Sequence, residues 1–268
     1  MLHDTQNEKD QRGLSIDQVG VKKVTCPIVV LDKKNKKQST IATINMYVNL
    51  PHDFRGTHMS RFIEVLENHR GQISLDTVEN ILIEMKKKLK AESSYIEIGF
   101  PYFIEKHAPV SRAKSLMEYH CKFIGEHNSK FEFLVQVDIP VTTLCPCSKA
   151  ISTRGAHNQR GVVTLKVKTK KLIWIEDLVK IVEHCASSPL YMLLKRTDER
   201  FVTEHAYDHP AFVEDVVREV AVRLSQDRAI KWFSVEAENF ESIHNHNAYA
   251  MIKKNDKARF SLKNIRKA

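Results

Sequence analysis

Between Leu144 and Gly161 the chain reads LCPCSKAISTRGAHNQRG, and this stretch holds Cys145, Cys147, Lys149, His157, Gln159 and Arg160. A thiol is a soft donor and an imidazole a borderline one, so this pairing suits zinc, iron or manganese better than calcium. Pro146 stiffens the backbone between the two thiols. Gly155 permits a turn that would return His157 towards them. The stretch is therefore a candidate metal corner with a cation and amides beside it, the residue set of a metal-assisted hydrolysis of a charged substrate. C-P-C alone is a weak signal, because close cysteine pairs also occur as small buried hydrophobes. A closed zinc site would want a second C-x-x-C, which the chain lacks. A second cluster far downstream, ESIHNHNAYA, strengthens the reading. There His244 and His246 stand two apart, which on a strand means one face.

Two similar sets of elements must position these groups. Residues 23–32 read as a strand, and Ile44, Met46, Val48 and Leu50 alternate along 40–50. Met59, Phe62, Ile63 and Leu66 fall at helical spacing. Ser74 can cap a second helix carrying Val78, Ile81, Leu82, Met85 and Leu89. Ile96, Ile98 and Phe100 mark a further strand, and 114–125 another. The second half repeats the order. Phe133, Val135, Val137 and Ile139 alternate, then Val163, Leu165 and Val167. Helices follow over Ile175–Val182 and Phe212–Leu224, then strands around 233–238 and 247–253. The repeat lies in element order rather than in residue identity, so the expectation is a two-module α+β protein. Its boundaries are a disordered lead-in over 1–20, modules over 21–128 and 129–255, and a basic tail over 256–268. Exposed sheet edges in such modules invite pairing between subunits.

Composition narrows the class. An apolar content of 42% is enough for a sizeable core, and no apolar run approaches the roughly 18 residues of a membrane helix. The polar start, MLHDTQNEKDQRG, has no signal core, and five cysteines without a disulfide spacing fit a reducing compartment; both point to the cytoplasm. The net charge of +9 has three readings: a solvated surface, nucleic-acid binding without an aromatic-interleaved motif behind it, or attraction of a polyanionic small substrate such as a nucleoside triphosphate.

Five strings, GTHMSRF, TTLCPCSKAIS, GAHNQRG, LLKRTDERFVTEHAYDHPAFVEDVVR and ESIHNHNAYA, lie in an order that resembles the type IB GTP cyclohydrolases. The resemblance spans roughly residues 15–255. It implies tandem tunnelling-fold modules, with antiparallel sheets, helices on one face and a barrel-forming homotetramer whose sites lie between subunits. It also implies conversion of GTP to 7,8-dihydroneopterin triphosphate and formate, for folate or queuosine synthesis. Ala150 and Asn247 depart from the family pattern, which has acidic residues there.

The resemblance assigns roles residue by residue. A divalent metal (zinc, manganese or iron) would be held by Cys145, His157, Glu199 and His244, with Cys147 as the fallback ligand. His246 is a candidate proton mover. Glu214 would accept two hydrogen bonds from the guanine N1–H and 2-amino group. Lys149, Arg160, Lys195, Arg196 and His58 are the candidates for the triphosphate. A Lewis-acid metal lowers the pKa of bound water from about 16 towards 7, which is what addition of water at C8 of guanine requires. Two alternatives stand beside it: a nitrile reductase on the same fold, with a cysteine nucleophile and NADPH, and a zinc-stabilised nucleic-acid module.

Overall fold

Alternation along the strands sets the first half of the chain. In β2 (Lys36–Leu50), Ala42, Ile44, Met46, Val48 and Leu50 are all buried. The strand pairs antiparallel with β1 (Ile16–Asp32) on one side and β3 (Ser94–His107) on the other, with Ile44 opposite Ile98 and Met46 opposite Ile96. Each such side chain contributes roughly 1.5–3 kcal/mol by leaving water. A one-residue slip would turn the whole row outwards, so the register is strongly specified. Phe62, Val65 and Leu66 of α1 (Met59–Asn68) and Val78, Ile81, Leu82 and Met85 of α2 (Leu75–Leu89) complete this core. Ser74 caps α2 as expected: its Oγ accepts the Thr77 N–H at 3.3 Å. The half ends with β4 (Lys114–His127) beside β3.

The second half repeats the order with additions. β5 (Phe131–Leu144) leads into α3 (Pro146–Ile151). Then come β6 (Asn158–Thr169), α4 (Ile175–Glu183), the two-residue β7 (Ser188–Pro189), α5 (Arg196–Asp208), α6 (Val213–Gln226), β8 (Ile230–Asn239) and β9 (Ala248–Lys253). β6 pairs antiparallel with β8 and β8 with β9, while β7 adds to β5 at Val141 and Thr142. Val163, Leu165 and Val167 face Ala237, Val235 and Phe233 across the ladder, and Val216, Val217, Val220 and Leu224 of α6 are buried. All these pairings are antiparallel, and the fold is α+β. The computed structural model describes residues 6, 8–71, 73–169 and 171–254. Among these no helix is long and apolar enough to cross a membrane.

The chain forms two compact units, and they do not divide at a single point near 128. Among the described residues, one comprises those up to 102 and 121–135, the other 103–120 and those from 136 on. The tip of the β3–β4 hairpin thus belongs with the second unit, and polar bonds explain why. Lys106 Nζ donates to Glu183 Oε1 and to the Leu190 carbonyl, both at 2.6 Å, and the Tyr119 hydroxyl donates to Glu183 at 2.9 Å. The lead-in expected over 1–20 also needs correction. β1 already begins at Ile16, and Lys9 bridges Phe54, because the strand backbone finds partners before the apolar alternation starts. The tail expected over 256–268 lies outside the described residues.

Asp198 anchors the same hairpin tip from α5. The main-chain N–H groups of Val110 and Ser111, the Ser111 hydroxyl and the Lys195 N–H all donate to its carboxylate. Burial alone would raise this carboxyl, but those hydrogen bonds outweigh it and hold the pKa below its usual 3.8. A depressed carboxylate gives stability that is complete above its unfolded value and is lost as the pH falls towards the folded one. Asp198→Ala should therefore melt several degrees below the parent at pH 7, and the gap should close as the pH drops below about 3.8. A gap independent of pH in thermal melts would show that the carboxylate is not the anchor.

Candidate functional site

The site grows from the end of β5. Thr143 and Leu144 are buried, and the Leu144 N–H donates to the Ser187 hydroxyl at 3.0 Å, which fixes where the strand stops. Cys145 is the N-cap of α3, with Pro146 in the first helical position, where a missing N–H costs nothing. Its Sγ accepts the Ser148 N–H at 3.4 Å. Gly155, at φ +150°, makes the turn anticipated from the sequence. The chain returns, the Cys145 N–H donates to the His157 carbonyl at 3.1 Å, and the His157 N–H donates to the Ser148 hydroxyl at 3.2 Å. The thiol and the imidazole are thus held by one local loop.

Two distant segments close on this loop. The Ala211 N–H donates to the Leu144 carbonyl at 3.1 Å, which pins the turn before α6 against the end of β5 and brings Glu214, in the first helical turn, to the site. The Phe240 N–H donates to the Arg160 carbonyl at 2.9 Å, so the bend after β8 lies alongside β6. Close packing there depends on Gly161: a Cβ at this position would meet Asn239 Oδ1 at 2.4 Å. The result is a cavity of about 250 Å³ lined by Cys145, His157, Glu214, Glu241, His244 and His246, with Gln159 and Asn239 also on its wall.

His157 carries most of the internal contacts. Its Nδ1 lies 3.1 Å from Gln159 Oε1, 3.4 Å from the Ser242 hydroxyl and 4.0 Å from Glu241 Oε2. Gln159 in turn donates from Nε2 to Thr143 Oγ1 at 3.0 Å. Neither Gln159 nor Glu241 receives a role in the sequence reading. Both sit in quoted motifs, and the signal available was their position beside a candidate ligand. His244 and His246 stack at 5.0 Å between ring centroids. They do so in an exposed bend rather than on a strand, because ESIHNHN has no apolar alternation to bury.

Other expected members stand outside the cavity lining. Lys195, Arg196 and Glu199 lie exposed at the start of α5. Arg160 is exposed and contributes its carbonyl to the Phe240 contact. Lys149 Nζ donates to the Tyr207 carbonyl and lies 4.2 Å from the centre of the Tyr207 ring. His58 precedes α1 in the other unit. Cys147 is exposed on α3, not a buried support for Cys145. Asn247 donates to Glu238 Oε1 at 2.7 Å, a bond that an aspartate could not make.

The donor chemistry suits a divalent metal in part. Cys145, His157 and His244 present a thiol and two imidazoles to one cavity. Among the described residues, however, no three His, Cys, Asp or Glu side chains are arranged to hold a metal ion. The ligand types fit, and one chain as it stands does not close the set.

The family model described as type I GTP cyclohydrolase FolE2 matches residues 2–250. The GTP cyclohydrolase FolE2 of Syntrophus aciditrophicus is 60% identical over 252 residues, covering 94% of this chain and 99% of its own. That of Geobacter sulfurreducens is 58% identical over 251 residues, covering 94% and 97%. That of Citrifermentans bemidjiense is 57% identical over 253 residues, covering 94% and 95%. Among solved structures, the uricase from Arthrobacter globiformis superposes with a TM-score of 0.54 at 7% identity, covering 91% of this chain and 96% of its own. A highly active mutant of the Bacillus sp. TB-90 urate oxidase gives 0.53 at 8%, covering 89% and 99%. At such identities the likeness concerns the fold alone, which is that of the uricase-like tunnelling-fold proteins.

Proposed function

The chain belongs to the type I GTP cyclohydrolase FolE2 family, and we propose that it carries out the family reaction in the cavity at the end of β5. The activity is that of GTP cyclohydrolase I in folate biosynthesis: GTP and water give 7,8-dihydroneopterin triphosphate and formate. The observation that carries the site is the convergence of Cys145 and His157, from one local loop, and Glu214, from the first turn of α6, on one cavity. The nitrile reductase and the nucleic-acid module are not the activities of the matched family.

Glu214 is the guanine anchor in this reading. Its carboxylate accepts from N1–H and from the 2-amino group, a bidentate charge-assisted contact. Guanine held by that edge keeps C8 at the far end of the bicycle, directed at the remaining cavity groups. Cys145 and His157 would hold a zinc, manganese or iron ion, with His244 as the next donor on the same wall. Bound there, such an ion supplies Lewis acidity for the addition of water. His246, stacked on His244, would move protons as the imidazole ring opens and the new ring closes. Arg160, Lys195 and Arg196 are the proposed triphosphate contacts. Lys149, which would first have to leave Tyr207, and His58, ahead of α1, complete the set.

The proposal includes a homotetramer. Among the described residues, β1 and β9 end the strand order, which leaves sheet edges suited to pairing between subunits. Exposed Glu199, Lys195 and Arg196 could then serve a neighbouring cavity. Five free thiols suit the reducing cytoplasm. The test is turnover of GTP by the purified protein, read as a fluorescent neopterin after oxidation, with light scattering of the active species. Activity should disappear on chelation, return with metal, and travel with the tetramer mass. Turnover that survives complete metal removal would contradict the metal, and an active monomer would contradict the assembly.

A further inference from the structure

We propose that Gln159 is a positioning residue that sets the tautomer of His157 and so aims the bare Nε2 into the cavity. The inference rests on the cavity being the reaction site. Gln159 is buried on β6, 7% exposed, and Thr143 beneath it is fully buried. The amide makes two contacts: Nε2 donates to Thr143 Oγ1 at 3.0 Å, and Oε1 faces His157 Nδ1 at 3.1 Å. An amide oxygen is an acceptor only, so Nδ1 must carry the proton, and Nε2 keeps its lone pair. A ring nitrogen in that state can bind a metal or take a proton.

The reverse amide orientation would present an NH₂ group to Nδ1 and leave Nε2 protonated. Charge argues against it. The Glu241 carboxylate lies 4.0 Å from Nδ1, and both side chains are largely buried. A negative group there favours an N–H over a lone pair. The Ser242 hydroxyl, at 3.4 Å, is the longer of the two hydrogen-bond contacts to Nδ1 and competes poorly with Gln159. The chain Thr143–Gln159–His157 therefore orients the imidazole from behind, as a carboxylate or carbonyl does for other ligating histidines.

The test reads the tautomer directly. In full-length, metal-free protein with ¹⁵N-labelled histidine at pH 8, long-range ¹H–¹⁵N spectra should show His157 as the Nδ1–H form. Gln159→Leu keeps the bulk and removes the acceptor, so the Nε2–H form should appear. Gln159→Glu restores an acceptor and should return Nδ1–H. Thr143→Val, a milder change that removes only the anchor, should give a mixture if Gln159→Leu does not fold. In turnover, Gln159→Leu should lose roughly 10–100-fold in kcat. KM for GTP should change little, because Glu214 still holds guanine, and Gln159→Glu should recover much of the rate. An Nε2–H tautomer in the parent, or Gln159→Leu with the parent tautomer and kcat, would overturn the proposal. Zinc added to the parent should move the His157 Nε2 resonance. If it does not while the tautomer results stand, Gln159 keeps its role and the metal assignment of His157 falls.

Discussion

His157→Ala and Cys145→Ala should each abolish GTP turnover and weaken metal binding. The two side chains sit on one local loop, joined through the Cys145 N–H and the His157 carbonyl, and both open onto the same cavity. Removing a group that merely orients a ligand commonly costs 10–100-fold, so removing a ligand should cost at least ~100-fold. Alanine at 157 also strands the Gln159 amide, whose oxygen then faces a void. Cys147→Ala is the matched control. Its thiol is exposed and outside the cavity lining, so turnover and metal content should stay close to those of the parent. Full activity in either of the first two variants would remove that residue from the reaction.

Glu214→Gln should lower kcat/KM for GTP while leaving metal content unchanged. The substitution keeps size and replaces one acceptor oxygen with an NH₂ donor. That donor would face the N1–H or 2-amino group of guanine, so an attractive contact becomes an opposition of donors. Hydrogen bonds to charged groups contribute ~1.5–3 kcal/mol, and an unpaired donor in the bound complex adds to the loss. At about 1.4 kcal/mol per factor of ten, the loss should be at least ~10-fold. ATP lacks the N1–H and the 2-amino group, so it should be a poor substrate of the parent for the same reason. Normal turnover by Glu214→Gln, or loss of its metal instead, would show that the carboxylate is not the guanine anchor.

Legibility in the sequence followed the range of the forces involved. The row Ile44, Met46, Val48 and Leu50 announces its strand because burial alternates with the pleat. Ser74 announces its helix because a cap acts within three residues. α5 escaped such reading, since RTDERFVTEHAYD buries only Asp198 and Ala206 and offers no apolar stripe. That helix depends instead on Asp198, whose partners Val110 and Ser111 come from a distant hairpin. α3 is six residues long, too short for any periodicity, although Cys145 followed by Pro146 is a helix start in retrospect.

The site divides in the same way. Cys145 and His157 could be paired from the sequence because Gly155 makes the connection local. Glu214 reached the cavity through a main-chain bond between Ala211 and Leu144, which no local pattern encodes. Lys149 illustrates the converse. Its charge suggested a triphosphate contact, but a carbonyl and a ring at Tyr207 hold it elsewhere. The boundary expected at 128 failed because polar bonds to Glu183 and Asp198 bind the tip of a long hairpin into the second unit.

The central claim is that the cavity at the end of β5 holds the metal that GTP cyclohydrolysis requires. Anomalous diffraction above the zinc edge, from crystals of the zinc-loaded active protein, tests it most directly. The account predicts one strong peak per subunit within bonding distance of Cys145 Sγ and His157 Nε2, about 2.3 Å and 2.0–2.1 Å respectively for zinc. A peak at other residues, or fully active crystals with no peak in this cavity, would contradict it.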